Sequence, residues 1–191
     1  MRRHSALALL VALALPGCGA KVHLPFRFQL SPKVAAEAAA ARAPGGPVAL
    51  RWLPGDFPQR VDVHGADGFV GAIAKTRLPV GVAITTRVTE YVDAALGVEG
   101  GAERVVTIEV VEAKTGYAFS LRTKRQSIDR ASCSLRVEVD DGARRWSEAY
   151  YSSDERGKPD TQTEVLDDVW DEVATALARD VVRRLATAPS P

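Results

Sequence analysis

The chain has 191 residues, 46% of them apolar and 26% charged, the composition of one globular domain with its own core. Its 25 basic and 24 acidic side chains leave a net charge of +1, without the clustered basic surplus of a nucleic-acid binder, so nucleic acid is set aside as a partner. Three histidines (His4, His23, His64) and two cysteines (Cys18, Cys133) offer little material for a metal site or for His-based acid–base chemistry, and no metal or cofactor is implied.

The first residues, Met1-Arg2-Arg3-His4, are basic, and residues 6–15, "ALALLVALAL", are an unbroken apolar run. That run is too short to cross a bilayer as a helix, which takes about 20 residues, and it fits a secretory signal peptide over 1–17. The run ends on "LPGC", which resembles the bacterial lipobox. Gly17 and Cys18 match that motif, Leu15 supplies its aliphatic residue, and Pro16 departs from it. The resemblance implies a lipoprotein: diacylglycerol on the Cys18 thiol, cleavage before Cys18, and acylation (palmitate) of the new amino group. Two or more acyl chains make a stable membrane anchor at about 0.8 kcal/mol per buried methylene. Gly19, where enteric lipoproteins retained at the inner membrane carry Asp, points to the outer membrane with the domain facing the periplasm. Cys133, in "ASCSLRVEV", shares the alternating face of Leu135, Val137 and Val139, the setting of an inert core thiol.

Residues 18–47 read as the lipidated N-terminus and a tether. An Ala-rich run over 34–43 has high helix propensity, and "PGGP" at 44–47 marks the domain boundary. The alternative is that this segment folds onto the domain, with Leu24, Phe26 and Phe28 as contacts. A single domain then spans 48–186. "VALRWLP" (48–54) is a strand with Val48, Leu50 and Trp52 on one face. The Gly- and Asp-rich stretch that follows reads mostly as loop, with a brief strand at "QRVDVHG". "ITTRVTEYVDAALG" (84–97) repeats apolar residues every three or four positions, a helix stopped by Gly97. "RVVTIEVVEAK" (104–114) is a strand with Val106, Ile108 and Val110 inward. "ASCSLRVEV" and "RRWSEAYYSS" form a hairpin about Asp140-Asp141-Gly142.

The last element, about 161–186, carries an apolar stripe of Leu166, Val169, Trp170, Val173, Leu177, Val181 and Leu185. Thr161 and Glu164 have capping-box spacing. Acidic residues fill the first half and arginines the second, complementing the helix dipole; this charge run reads as a solvated face. Residues 187–191 are a tail. The order implies an α+β fold: an antiparallel or mixed sheet of about four strands with two helices packed on one face.

This order after a lipobox resembles the small periplasmic lipoproteins of the YajG-like and ABC-transport-auxiliary (PqiC-type) groups, through "VTEYVDAALG", "RVVTIEVVEA" and "CSLRVEVDDGARRWSEAYYSS". The resemblance implies a non-catalytic accessory protein of envelope transport or assembly, with no catalytic residues. The bilayer, through acylated Cys18, and an envelope protein are then the expected partners. The basic stretch "RTKRQSIDR" (122–130) reads as a loop whose Arg122, Lys124 and Arg125 are candidate partner contacts. Two alternatives stand. "GDFPQRVDVHGADG" groups Asp56, Asp62 and Asp67 with His64, a cluster for an enzyme or a cation site. An apolar cavity between sheet and helices would make the domain a carrier.

Overall fold

The computed structural model describes residues 29–42, 46–53, 61–63, 76–78, 80–123, 126–157 and 162–187. In chain order these form α1 (Pro32–Ala40), β1 (Ala49–Leu53), β2 (Val61–Val63), β3 (Thr76–Leu78), α2 (Val80–Leu96), β4 (Val105–Thr123), β5 (Gln126–Asp140), β6 (Arg145–Gly157) and α3 (Gln162–Ala186). Four strands make a mixed sheet in the order β1-β4-β5-β6, and β2 pairs with β3 in a separate ribbon. β1 runs parallel to β4, with Ala49 opposite Val105 and Leu53 opposite Glu109. The crossover between them contains α2, as parallel pairing requires. β4, β5 and β6 are antiparallel neighbours. The fold is α+β, as the order of elements implies.

Alternation decides which face is buried. Val106, Ile108 and Val110 of β4 and Ala131, Cys133, Leu135, Val137 and Val139 of β5 point to the helices and are buried. A β-bulge between Val110 and Glu112 then shifts the phase of β4. Without the extra residue, Glu112 and Lys114 would turn into the core; with it they stay on the outer face and Ala113 takes the inward place. This explains why β4 continues where a plain alternating reading stops it at residue 114.

The helices cover the inner face. All seven stripe residues expected of the last helix are buried in α3, together with Val165 and Val182. Each large apolar side chain contributes roughly 1.5–3 kcal/mol by leaving water. α2 begins at Val80, four residues before the expected start, and buries Ala83, Ile84, Val88, Tyr91, Val92 and Ala95. It ends at Gly97, whose φ of 87° only glycine adopts readily. The Gly97 N–H closes onto the Asp93 carbonyl at 2.8 Å.

A third helix joins the two expected. Ser31 caps α1 by accepting from the Val34 N–H, and Pro32 opens its first turn. α1 lies against α2 with Ala38 fully buried and Leu30 and Val34 partly so. Within the 18–47 stretch, therefore, residues 30–38 belong to the packed body. Leu24, Phe26, Phe28 and Thr161 lie outside the described residues. β3 falls in the stretch read as loop: a three-residue strand is too short for alternation to reveal it.

Candidate functional site

Cys18, Asp56, His64, Asp67, Lys124 and Arg125 lie outside the described residues. Asp62 sits in β2, in register with Arg77 of β3. Arg122 is the penultimate residue of β4, which the basic stretch extends rather than interrupts. β4 runs to Thr123 and β5 resumes at Gln126, with Thr123 opposite Gln126. The expected loop over 122–130 is thus corrected to the end of a long hairpin, with Lys124 and Arg125 between its strands. The sequence there offers no Gly, Pro, Asn or Asp at the reversal, so the usual turn signal is missing.

The inner side of the molecule gathers charges that the acidic and basic runs of the sequence would place on a solvated face. Arg87, on α2, is 0% exposed. It donates to Asp167 Oδ1 and, at 3.4 Å, to the Asp167 carbonyl, and its Nε stands 3.5 Å from Asp171 Oδ1. The pairing clamps α2 to α3, and Asp167 is itself only 6% exposed. The reason lies in spacing: Arg87 falls between Ile84 and Tyr91 on the buried side of α2, so its charge has to find acids on α3. A cation on an apolar stripe is the signal the sequence carries for this clamp.

A second cluster joins α3 to β6. Tyr150 donates to Asp180 Oδ2 at 3.1 Å, Arg184 Nε donates to the same oxygen at 2.8 Å, and Arg183 reaches Asp180 Oδ1 at 2.5 Å. Burial works to raise the Asp180 carboxyl, but these bonds outweigh it and hold the group below the usual carboxylate range. Burial, with Asp180 beside it, pushes the Tyr150 hydroxyl well up. Arg184 also contacts Glu148 at 3.1 Å and stacks on the Trp146 ring, 5.3 Å from its centroid. Farther along, Arg156 binds Glu164 and Asp168, and Ser152 donates to Glu172. Where α1 meets α2 and α3, Glu37 accepts from Tyr91 at 3.1 Å and from Arg179. Arg179 is the main reason the Glu37 carboxyl is lowered.

Cys133 is buried with no disulfide, and burial pushes its thiol up to about 11, so it holds little thiolate at neutral pH. Its β4 neighbour Thr115 accepts the Trp170 indole N–H at 2.7 Å.

The outer face of the sheet carries small and charged residues in cross-strand rows. Arg130 pairs with Glu155 at 2.6 Å, Arg145 pairs with Glu138, and Arg136 reaches Glu112 at 3.4 Å. Two of the three, Arg130–Glu155 and Arg145–Glu138, join β5 to β6, while Arg136–Glu112 joins β5 to β4; Glu148 turns inward to α3. Between the rows Gly116, Ser132 and Ser153 line a shallow depression of about 540 Å³ with Arg130 and Glu155 at its side. A Cβ on Gly116 would come within 2.7 Å of Ser132 Oγ, so a side chain there would push the serine hydroxyl aside. Tyr151 rises beside it, 70% exposed.

Among the described residues no group of three or more His, Cys, Asp or Glu is arranged to hold a metal ion, and no helix is long and apolar enough to cross a membrane.

No family model and no curated protein sequence matches the chain. Among solved structures it is similar to a minor lipoprotein from Acinetobacter baumannii, at 10% identity over 74% of this chain and 91% of that one, with a TM-score of 0.36. It is also similar to an uncharacterized protein at 10% identity, over 83% of this chain and 95% of that one, with a TM-score of 0.39. A DUF330 protein from Xanthomonas campestris is similar at 9% identity, over 83% of this chain and 90% of that one, with a TM-score of 0.40.

Proposed function

We propose that the chain is a lipid-anchored, non-catalytic accessory protein of the bacterial envelope, held at the outer membrane through acylated Cys18 and facing the periplasm. The observation that carries the reading is the N-terminal sequence itself: two arginines, an apolar run over 6–15, and "LPGC". The arrangement of the charged side chains agrees with a binding role. The buried acids of α3 bind Arg87, which fastens α2 to α3, and Arg184, which also reaches Glu148 of β6. On this reading the β4–β5 hairpin presents Arg122, Lys124 and Arg125 to an acidic envelope protein.

Two experiments test the reading. Cells expressing the chain are fed an alkyne fatty acid, and the wild type takes up label while Cys18→Ser takes up none and leaves the membrane fraction or stays unprocessed. Label persisting on Cys18→Ser would overturn the anchor. Capture of envelope proteins by wild type and by an Arg122→Ala, Lys124→Ala, Arg125→Ala variant tests the hairpin. Equal capture by the two removes the hairpin from the binding surface. Loss of binding to anionic vesicles alone assigns it to lipid.

A further inference from the structure

We infer that the free edge of β6 is a self-association surface, through which two copies of this chain join their sheets in antiparallel register about a two-fold axis beside Tyr150.

The argument starts from the main chain. β6 ends the sheet order, and among the described residues nothing pairs along its outer edge. It is 13 residues long, pairs with β5 without a register shift, and carries no proline and no glycine before its last residue. Edge strands that must stay solitary are usually short, bulged or interrupted by charge and proline. Here the charges on the outer face stand only near the ends, at Arg145 and Glu155, with Ser147, Ala149, Tyr151 and Ser153 between.

Hydrogen-bond parity then says which groups are on offer. The Asp141 N–H donates to the Arg144 carbonyl at 3.0 Å, which makes 141 and 144 a bonded pair. Bonded and non-bonded pairs alternate along an antiparallel ladder, so Arg145, Ser147, Ala149, Tyr151, Ser153 and Glu155 turn their N–H and C=O away from β5. These are the groups a further strand would bind.

Charge selects the occupant and the register. If a second copy runs antiparallel with its Glu155 opposite Arg145, symmetry places Arg145 of the second copy opposite Glu155, so both ends are paired. Ser147 then faces Ser153 and Ala149 faces Tyr151, covering an aromatic ring that is 70% exposed. All six pairs are of the bonded kind, giving about twelve main-chain hydrogen bonds. Sliding by two residues in either direction leaves both charges opposite uncharged residues: Gly157 and Ser147 one way, Ser153 and Ala143 the other. Arg145 already binds Glu138 and Glu155 already binds Arg130, so each end becomes a four-member network.

α3 agrees independently. It lies across β5 and β6, and its contacts with β6 run from Arg156–Glu164 through Ser152–Glu172 and Tyr150–Asp180 to Glu148–Arg184. It is therefore antiparallel to β6. With strands about 4.8 Å apart, the two-fold sets α3 about 10 Å from its mate, near the 8–10 Å of packed helices. The residue of α3 level with the two-fold is Asp180, which Tyr150 binds, so the helices meet antiparallel there.

The test is sedimentation of the purified full chain. The wild type forms a dimer. Arg145→Glu alone and Glu155→Arg alone each set like charges against each other twice per dimer and weaken association about ten-fold. An equimolar mixture of the two variants restores it. In a mixed dimer the two introduced side chains, of opposite sign, face each other at one end, and the native Glu155 and Arg145 face each other at the other. Intrachain damage, to Arg145–Glu138 in one variant and to Arg130–Glu155 in the other, stays within each copy and cannot be repaired by mixing. Ala149→Pro, which removes an outward N–H and no bond to β5, gives a folded monomer by circular dichroism. A wild type that stays monomeric up to about 100 µM, single variants that associate like wild type, a mixture no tighter than its parts, or a folded Ala149→Pro dimer would each overturn the inference.

Discussion

Replacing Arg87 by methionine isolates the clamp between α2 and α3. The methionine keeps most of the apolar stem and removes the guanidinium that the structure places against Asp167 in this buried position. Asp167 is 6% exposed, and Asp171, the other acid at Arg87, has a side chain only 13% exposed. Two carboxylates on one side of α3 are then left facing each other across the former guanidinium site. Breaking a buried ion pair by removing one partner costs about 3–5 kcal/mol, far above the roughly 0–1 kcal/mol of a surface pair. Urea unfolding of Arg87→Met should therefore lower the midpoint by about 2 M at ordinary slopes. Adding Asp167→Leu and Asp171→Leu to the same chain should recover most of the loss, since an apolar replacement of the whole cluster is near neutral. A loss below about 1 kcal/mol for Arg87→Met would refute the reasoning, because it would put Arg87 in the solvent-screened class.

Acid should destabilise the fold through Asp141 and Asp180. Both carboxyls are held below the ordinary range in the folded state, Asp141 by Arg144 and two turn N–H groups acting against burial, so their contribution is complete above about pH 4–5 and fades as pH falls through the folded values. Urea midpoints at pH 7, 5 and 3.5 should drop mainly over the last interval, and Asp180→Asn should flatten that drop; an equal drop in both would refute the assignment. Cys133 should resist iodoacetamide at pH 8 in the native state and react once urea unfolds the chain; prompt native labelling would contradict its burial and raised pKa. Glu37→Ala should speed hydrogen exchange in α1 while leaving β5 unchanged, because Glu37 ties α1 to Tyr91 and Arg179; unchanged exchange would mean that the Ala38 contact alone docks the helix.

The parts of the fold that the sequence makes plain are those where one periodicity runs without interruption. The stripe of α3 and the alternation of β5 and β6 are legible because each side chain on the buried face is apolar or can bond back to α3. Legibility fails where two patterns overlap. At Val110–Val111 the alternation changes phase, so a bulged strand looks like one that has ended. At 122–130 the chain reverses without a turn residue and looks like a loop. Arg87 is hidden among the apolar members of its helix face, and Asp167 looks solvated because it stands in an acidic run. In α1, methyl groups alone give no reason to expect docking; Glu37, reaching Tyr91 and Arg179 across the structure, supplies it. The depression on the outer sheet face shows nothing in sequence beyond scattered serines and a glycine among charges. Only the register that places Gly116, Ser132 and Ser153 in one row makes it a surface.

The central claim is that Cys18 is the first residue of an acylated protein. Intact-mass spectrometry of the chain extracted from membranes tests it most directly. The expected mass is that of residues 18–191 plus a diacylglyceryl group and one further acyl chain, with the added mass confined to the peptide that begins at Cys18. A chain that retains residues 1–17, or one whose Cys18 carries no lipid, would contradict it.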